Sequence, residues 1–528
     1  MDQQDQLERQ LAEGWIDRRA FLQRATALGL SLAALSTGQP ARAATPKAGG
    51  QLRMGLAGAS ITDTLAPGTF DDDGMRHVSW AFRNNLTEID NTGSLIGELA
   101  ESFDPSADAK TWAFKLRAGV TFHNGKVLDS GDVVASMNLH RGASSKSAAK
   151  VLLDQVDDIR ADGPGTVIFS LKGGNADWPV ILTDYNLPIL PAKDGAVDPQ
   201  DRAGTGCYIL EEFNPGVSAS FRKNPNSWKP NRGHFDAVAM TMITDVTARS
   251  NGLTTGELDV INRADLKTAA LLKRRQNLRL VQTTGTQHYT FPMLVDVAPF
   301  TDVNIRLALK CAVNRQELVD KILFGYGKVA NDHPIAPSNR FFASDLPQRT
   351  YDPERAKFHL KQAGLNSLKV QLYASDAAFD GAVDAGLLYQ QAAKKAGIDI
   401  EVVRAPSDGY WTNVWLKKPW CMSYWAGRPS EDWMFSQAYA ADTVYNETHW
   451  KNPRFNELLV AARSELDEGK RRAMYHEMQL LCRDDGGAVI PMYANYVWAT
   501  SDKLAHADSM AANWELDGDR LAERWWFG

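Results

Sequence analysis

Between Tyr410 and Trp450, eleven of 41 residues are aromatic, and six of the chain's fifteen tryptophans fall there. The chain as a whole is 9% aromatic, so the window is enriched about threefold. Stiff rings with a polar edge make good walls for a pocket that closes on a small molecule. They also make core, and composition leaves both roles open for any single ring. Inside the window, "CMSYW" reads as a buried strand and the Gly427-Arg428-Pro429 loop leaves its C-terminal end. Ligands of open α/β sheets bind at such ends. Trp411, Tyr424, Trp425 and Arg428 are therefore candidate ligand-binding residues. The Arg428 guanidinium could hold a carboxylate or phosphate through two parallel hydrogen bonds, or pair with Glu431 or Asp432 on a solvated loop.

The rest of the chain offers little reaction chemistry. It has no Gly-x-Ser-x-Gly, no His-Glu-x-x-His and no phosphate loop, and "YHEMQ" at His476 lacks a second histidine. The "DDDG" run, Asp71 to Gly74, lacks the remaining ligands of a calcium loop and reads as a solvated turn. Cys207, Cys311, Cys421 and Cys482 show no Cys-x-x-Cys spacing, so neither a zinc ribbon nor a redox dithiol is expected. A formal net charge of −6 with both signs scattered argues against a nucleic-acid partner, which needs a basic face. The expectation is a protein that catches a solute without reacting it and carries no cofactor or metal.

The elements that would position such a site are written locally. "WAFKLRAGVTFHNGKVLDSGDVV" (Trp112 to Val134) alternates as a strand, turns at Asn124-Gly125 and starts a helix capped by Asp129 or Ser130. Tyr208 to Phe213 and Val217 to Arg222 flank an Asn214-Pro215-Gly216 turn. Asp302 and Asn314 cap two successive helices ending at Gly325. Asp352, Pro353 and Gly364 are the cap, first position and stop of another helix. "LKVQLYA", a helix near 380–396 and "IDIEVV" then read as strand, helix, strand, which implies a parallel crossover. Residues 300–490 form an α/β unit of their own, and the preceding hairpin-rich region reads as α+β. "AVIPMYA" (Ala488 to Ala494) is a last strand before a polar, Trp-rich end.

The N-terminus carries Arg18-Arg19, then "ATALGLSLAAL", then Ala41-Arg42-Ala43. Paired arginines, a short apolar run and a small-x-small site resemble a twin-arginine export signal over residues 1–43. No cysteine follows the run to take a lipid, so the expected product is soluble in the bacterial periplasm. That compartment permits disulfides among the four cysteines.

Taken in order, "FKLRAGVTFHNG", "GTGCYIL", "DVNIRLALKCAVNR", "YDPERAKFHLKQAG" and "RRAMYHEMQLLCRDDGGAVIPMY" resemble the extracytoplasmic solute-binding proteins of family 5, the peptide/nickel/opine class serving ABC importers. The resemblance implies an α/β, two-lobed periplasmic-binding-protein (type II, Venus-flytrap) fold with an inserted extra subdomain in lobe I. Carried over, lobe I comprises 44–90, 203–297 and 490–528, the insert 91–202, and lobe II 298–489. It also implies a monomer that hands a peptide to permease subunits of the inner membrane. Peptide-binding relatives place an amine-anchoring aspartate in this loop. Here Ser430 takes that place, with Glu431 and Asp432 directly after, and a one-residue gap would restore an acid. These three join the candidate site. A non-peptide polar solute such as an opine or a sugar-linked amino acid, or nickel or haem, are the alternative cargoes, and an extracytoplasmic hydrolase is the remote alternative function.

Overall fold

The computed structural model of the chain describes residues 46–528 apart from Asp71. The expected export signal lies outside them. Its organising element is a mixed nine-stranded sheet. One end runs Tyr208–Asn214, Ser218–Lys223, Ala237–Met242, Gln51–Leu56 and Val260–Ile261. The other end holds the short strand Ser423–Trp425. Between them lie two long antiparallel strands, Leu278–Pro292 and Ala488–Ser501, which connect one half of the molecule to the other.

The ladder between these strands slips between Thr284 and His288, which face Asn495 and Tyr493. Gly285, Thr286 and Gln287 thus bulge opposite a shorter stretch of the partner. Gly285 is there for close approach: a Cβ on it would lie 2.2 Å from the Tyr496 ring. Bulges bend a strand and re-aim its side chains, and this one sits midway along its strand.

Apolar burial is divided into separate clusters along the sheet. One gathers Leu52, Phe82, Tyr208, Phe221 and Trp525. Another, with Leu86, Phe114, Phe169 and Trp178, covers a four-stranded antiparallel sheet built within residues 100–171. Beyond the bulge, Phe291, Leu309, Leu372, Tyr389 and Ile400 form a third around a parallel pair, Leu368–Ala374 and Ile398–Arg404, joined by helix Ala382–Lys394.

Local signals produced the expected elements. Asp129 closes a reciprocal capping box with Asp132 at the start of helix Ser130–Asn138. Asp302, Asn314 and Asp352 each accept a backbone N–H at a helix start. Gly125 and Gly364 take left-handed φ of 87° and 77° at the expected turn and stop.

Two expectations need correction. "CMSYW" is a strand only over Ser423–Trp425, at the sheet edge, where Tyr424 is exposed. Asp71 of "DDDG" lies outside the described residues, and the other three are not a solvated turn. Asp72 caps helix Asp73–Phe82, and Asp73 is buried between Arg76 and Arg263. The four cysteines, among which an oxidising compartment permits disulfides, are buried free thiols, and burial pushes Cys207 up to about 12. The polar, Trp-rich C-terminal end is buried. Lys229 Nζ donates to Glu88, Glu98 and Glu523 at 2.7, 2.6 and 2.9 Å, while Arg520 and Arg524 bind Glu98 and Glu88. Each charge thereby has its opposite, the condition under which such burial is tolerated.

Candidate ligand-binding cleft

The two long strands pass under a cavity of about 640 Å³. Gln287 within the bulge and Tyr289 just beyond it reach the cavity from one strand. Asn495, Tyr496 and Val497 reach it from the other strand. One wall is Tyr424, Arg428, Pro429 and Trp433. The opposite wall is Asp73, Arg76, Asp184, Tyr185, Arg263, Trp514 and Glu515. A second cavity of about 750 Å³ adjoins it, and both are lined by Asp184, Tyr185, Arg428 and Trp433.

The walls combine rings with opposed charges. The Arg76 guanidinium stacks 4.5 Å from the Trp514 centroid and 5.4 Å from that of Tyr185. It donates to Asp73 and, at 2.6 Å, to Asp519. Arg428 lies 5.9 and 5.7 Å from the ring centroids of Trp425 and Trp433. Its Nε donates to Gln437 Oε1 at 2.7 Å, and burial lowers its pKa. Neither Glu431 nor Asp432 pairs with it. Burial pushes the Asp184 carboxyl up to about 6, against the Asn186 backbone N–H that it accepts at 2.9 Å and the nearby charges of Arg428 and Arg76.

The other residues singled out in the sequence have separate surroundings. Trp411 is 40% exposed and packs edge-on against Tyr424, 5.8 Å between centroids, but lines neither cavity. Tyr424 is 42% exposed and on the wall. Trp425 points the other way into the core, 9% exposed, its Nε1 donating to Glu447 Oε1 at 3.1 Å. Adjacent strand residues face opposite sides, so the two rings cannot share a wall. Ser430 is buried as the cap of helix Glu431–Ala438, accepting the Trp433 N–H. Glu431 turns inward to accept the Phe341 N–H at 2.7 Å, and burial pushes it up to about 7. Asp432 pairs with Arg463 at 3.0 Å and touches only the second cavity; burial raises it to about 6. The sequence reading missed Asp73, Arg76, Asp184, Tyr185, Gln287, Tyr496 and Trp514, which lie in five separate stretches of chain. The twinned Ser430-Glu431-Asp432 did carry a signal for its actual role: a cap followed by acids in the first turn.

The comparisons with known proteins agree on one class. HbpA2 from Haemophilus parasuis superposes with a TM-score of 0.79 at 18% identity, covering 89% of this chain and 99% of that one. The periplasmic binding protein DppA from Helicobacter pylori, in complex with the peptide STSA, gives 0.71 at 20% identity, covering 91% and 99%. These likenesses define the fold as that of the two-lobed periplasmic binding proteins. In sequence, the chain is 25% identical over 438 residues to the glutathione-binding protein GsiB of Escherichia coli K12, covering 80% of this chain and 85% of that protein. The model of the bacterial extracellular solute-binding proteins, family 5, matches residues 94–447. The chain belongs to that family, whose members bind solutes for transport. No helix among the described residues is long and apolar enough to cross a membrane.

Proposed function

We propose that this chain is the periplasmic solute-binding component of an ABC importer, taking a di- or oligopeptide or a peptide-like solute and delivering it intact to inner-membrane permease subunits. The observation that carries the reading is the cleft above the two long strands, where one aromatic wall carries Arg428 and the other carries both acids and arginines. A peptide has matching parts: an ammonium, a carboxylate, a polar backbone and side chains of mixed character. The glutathione named for GsiB shares that chemistry, which supports the class without fixing the member. The lobes are 44–90 with 203–297 and 490–528, and 298–489, with 91–202 as the insert; the separate apolar clusters support this division. Closure bends the molecule at the Thr284–His288 bulge, and the ligand drives it by binding the closed form better than the open one. The working unit is a monomer, soluble and without a lipid anchor, and breaks no bond in its cargo. Native mass spectrometry of the protein as purified, then of its stripped form mixed with a defined tripeptide panel, tests this. A bound, chemically unchanged peptide is expected. Release of a cleaved product, or indifference to every peptide, overturns it.

A further inference from the structure

Behind the wall that carries Asp73, Arg76 and Trp514, three side chains converge that the cargo cleft does not need. His77, on helix Asp73–Phe82, meets Glu515 and Asp519, and one ligand-capable atom of each lies within 4.8 Å of the other two. None of the three residues is more than 4% exposed. The two acids come from one tight turn, in which Leu516, Asp517, Gly518 and Asp519 take left-handed φ of 47°, 62°, 70° and 59°. The Asp517 carboxylate anchors that turn, accepting from the Ala511 N–H at 2.7 Å and from Trp525 Nε1 at 3.1 Å.

The histidine is set as a ligand rather than as a donor to these acids. Its Nδ1 lies 3.2 Å from the Asp519 carbonyl oxygen, which only an N–H can satisfy, so in the neutral ring Nε2 carries the lone pair. That Nε2 makes no hydrogen bond, and neither does Asp519 Oδ1, 3.4 Å away. Glu515 Oε1 stands 3.9 Å from it. N–H···O bonds run about 2.7–3.2 Å, so both gaps are too wide for one. Ligand atoms about 2.1 Å from a tetrahedral zinc ion are about 3.4 Å from one another. Three electron-rich atoms turned to one buried point repel unless a cation sits among them. Both acids are also steadied from outside, as ligating side chains commonly are. Arg76 Nε donates to Asp519 Oδ2 at 2.6 Å, and Asn262 Nδ2 donates to Glu515 Oε1 at 2.6 Å.

We infer that His77, Glu515 and Asp519 form a site for one divalent cation of the zinc type, bound through Nε2 and one oxygen of each acid. One imidazole and two carboxylates suit zinc, and three protein ligands leave a fourth place for water. Glu515 lines the main cavity, which gives the ion a way in, whereas His77 and Asp519 do not line it. The ion is therefore a resident behind the wall and not the cargo. It pins the turn that follows Trp514 to the helix that carries Arg76, whose guanidinium stacks on that tryptophan. Sequence spacing could not announce the site, because His77 and Asp519 are 442 positions apart.

The test titrates tag-free protein, stripped with a chelator and then freed of it, with ZnCl2 by calorimetry and weighs the product by native mass spectrometry. One zinc per chain and a raised melting temperature are expected. His77→Gln and Glu515→Gln should each weaken binding at least about tenfold and abolish the thermal shift. Co2+ in place of zinc should give the intense visible band of a four-coordinate site, which His77→Gln should lose. Circular dichroism of the stripped variants separates lost ligation from lost folding. Should His77→Gln fail to fold, Glu515→Gln and the wild-type cobalt spectrum decide. Wild type that takes up no zinc, leaving a proton as the occupant of Nε2, overturns the site. So does zinc that both variants bind as wild type does. The peptide reading stands or falls separately.

Discussion

Gly427 and Gly125 have nearly the same backbone, φ of 81° and 87°, but different surroundings. Alanine at either pays the left-handed penalty of an L-residue, about 1–2 kcal/mol. At Gly125 nothing lies within 4 Å of the new Cβ, so that is the whole cost. At Gly427 the Cβ would lie 2.3 Å from Thr286 Cβ and Oγ1 and 2.4 Å from the Thr286 carbonyl oxygen. The last atom is backbone, part of the bulge in the long strand, and cannot swing aside. Overpacking of this kind adds about 1–3 kcal/mol. Gly427→Ala should therefore be destabilised by about 2–5 kcal/mol, and Gly125→Ala by no more than about 2 kcal/mol. Urea titrations followed by tryptophan fluorescence measure both. Because the loop must move off Thr286, Arg428 moves with it, and affinity for a free tripeptide should fall at least tenfold in Gly427→Ala alone. Equal midpoints for the two variants, or unchanged peptide affinity in Gly427→Ala, would refute the claim that this contact seats the arginine.

Lys229→Met leaves Glu88, Glu98 and Glu523 short of their shared cation; a loss of about 3–5 kcal/mol in unfolding free energy is expected from removing one member of such a buried set. Glu431 holds its proton to about 7 in the fold, well above its ordinary value of 4.5. The folded state thus binds more protons than the unfolded one in that interval, so stability falls as pH rises through it, and Glu431→Gln should flatten the fall in melts across pH 4.5 to 7. Asp184 lines the cleft, and under the peptide reading it attracts a ligand's ammonium only when ionised; in the free protein it keeps its proton to about 6. Calorimetric affinity for a free tripeptide should therefore weaken below that pH, by up to about tenfold per unit, and Asp184→Asn should show no such dependence.

What could be read from the sequence was what depends on neighbours in the chain. The caps at Asp129, Asp302 and Asp352, the Asn124-Gly125 turn and the parallel pair around helix Ala382–Lys394 each rest on a few adjacent residues. Burial of the C-terminal end was hidden because the partners of Arg520 and Arg524 are Glu98 and Glu88, more than 400 positions away. The cleft was half legible for the same reason. An aromatic window announced one wall, yet alternation could not say which of Tyr424 and Trp425 faces the cavity. The opposite wall has no enrichment at all, since Asp73, Asp184, Arg263 and Trp514 meet only through the fold.

The slipped register between Thr284 and His288 bears on how cheaply the molecule can flex. Where the ladder is regular, bending a sheet stretches rungs that must be broken and remade. Here the rungs are already missing at the pivot, and the Asn495 N–H is satisfied by the Tyr326 carbonyl at 3.1 Å rather than by the opposing strand. Cargo arriving between the halves need not spend its contacts on prising apart main-chain bonds, so nearly all of its attraction to the two walls is left to set how tightly it is gripped.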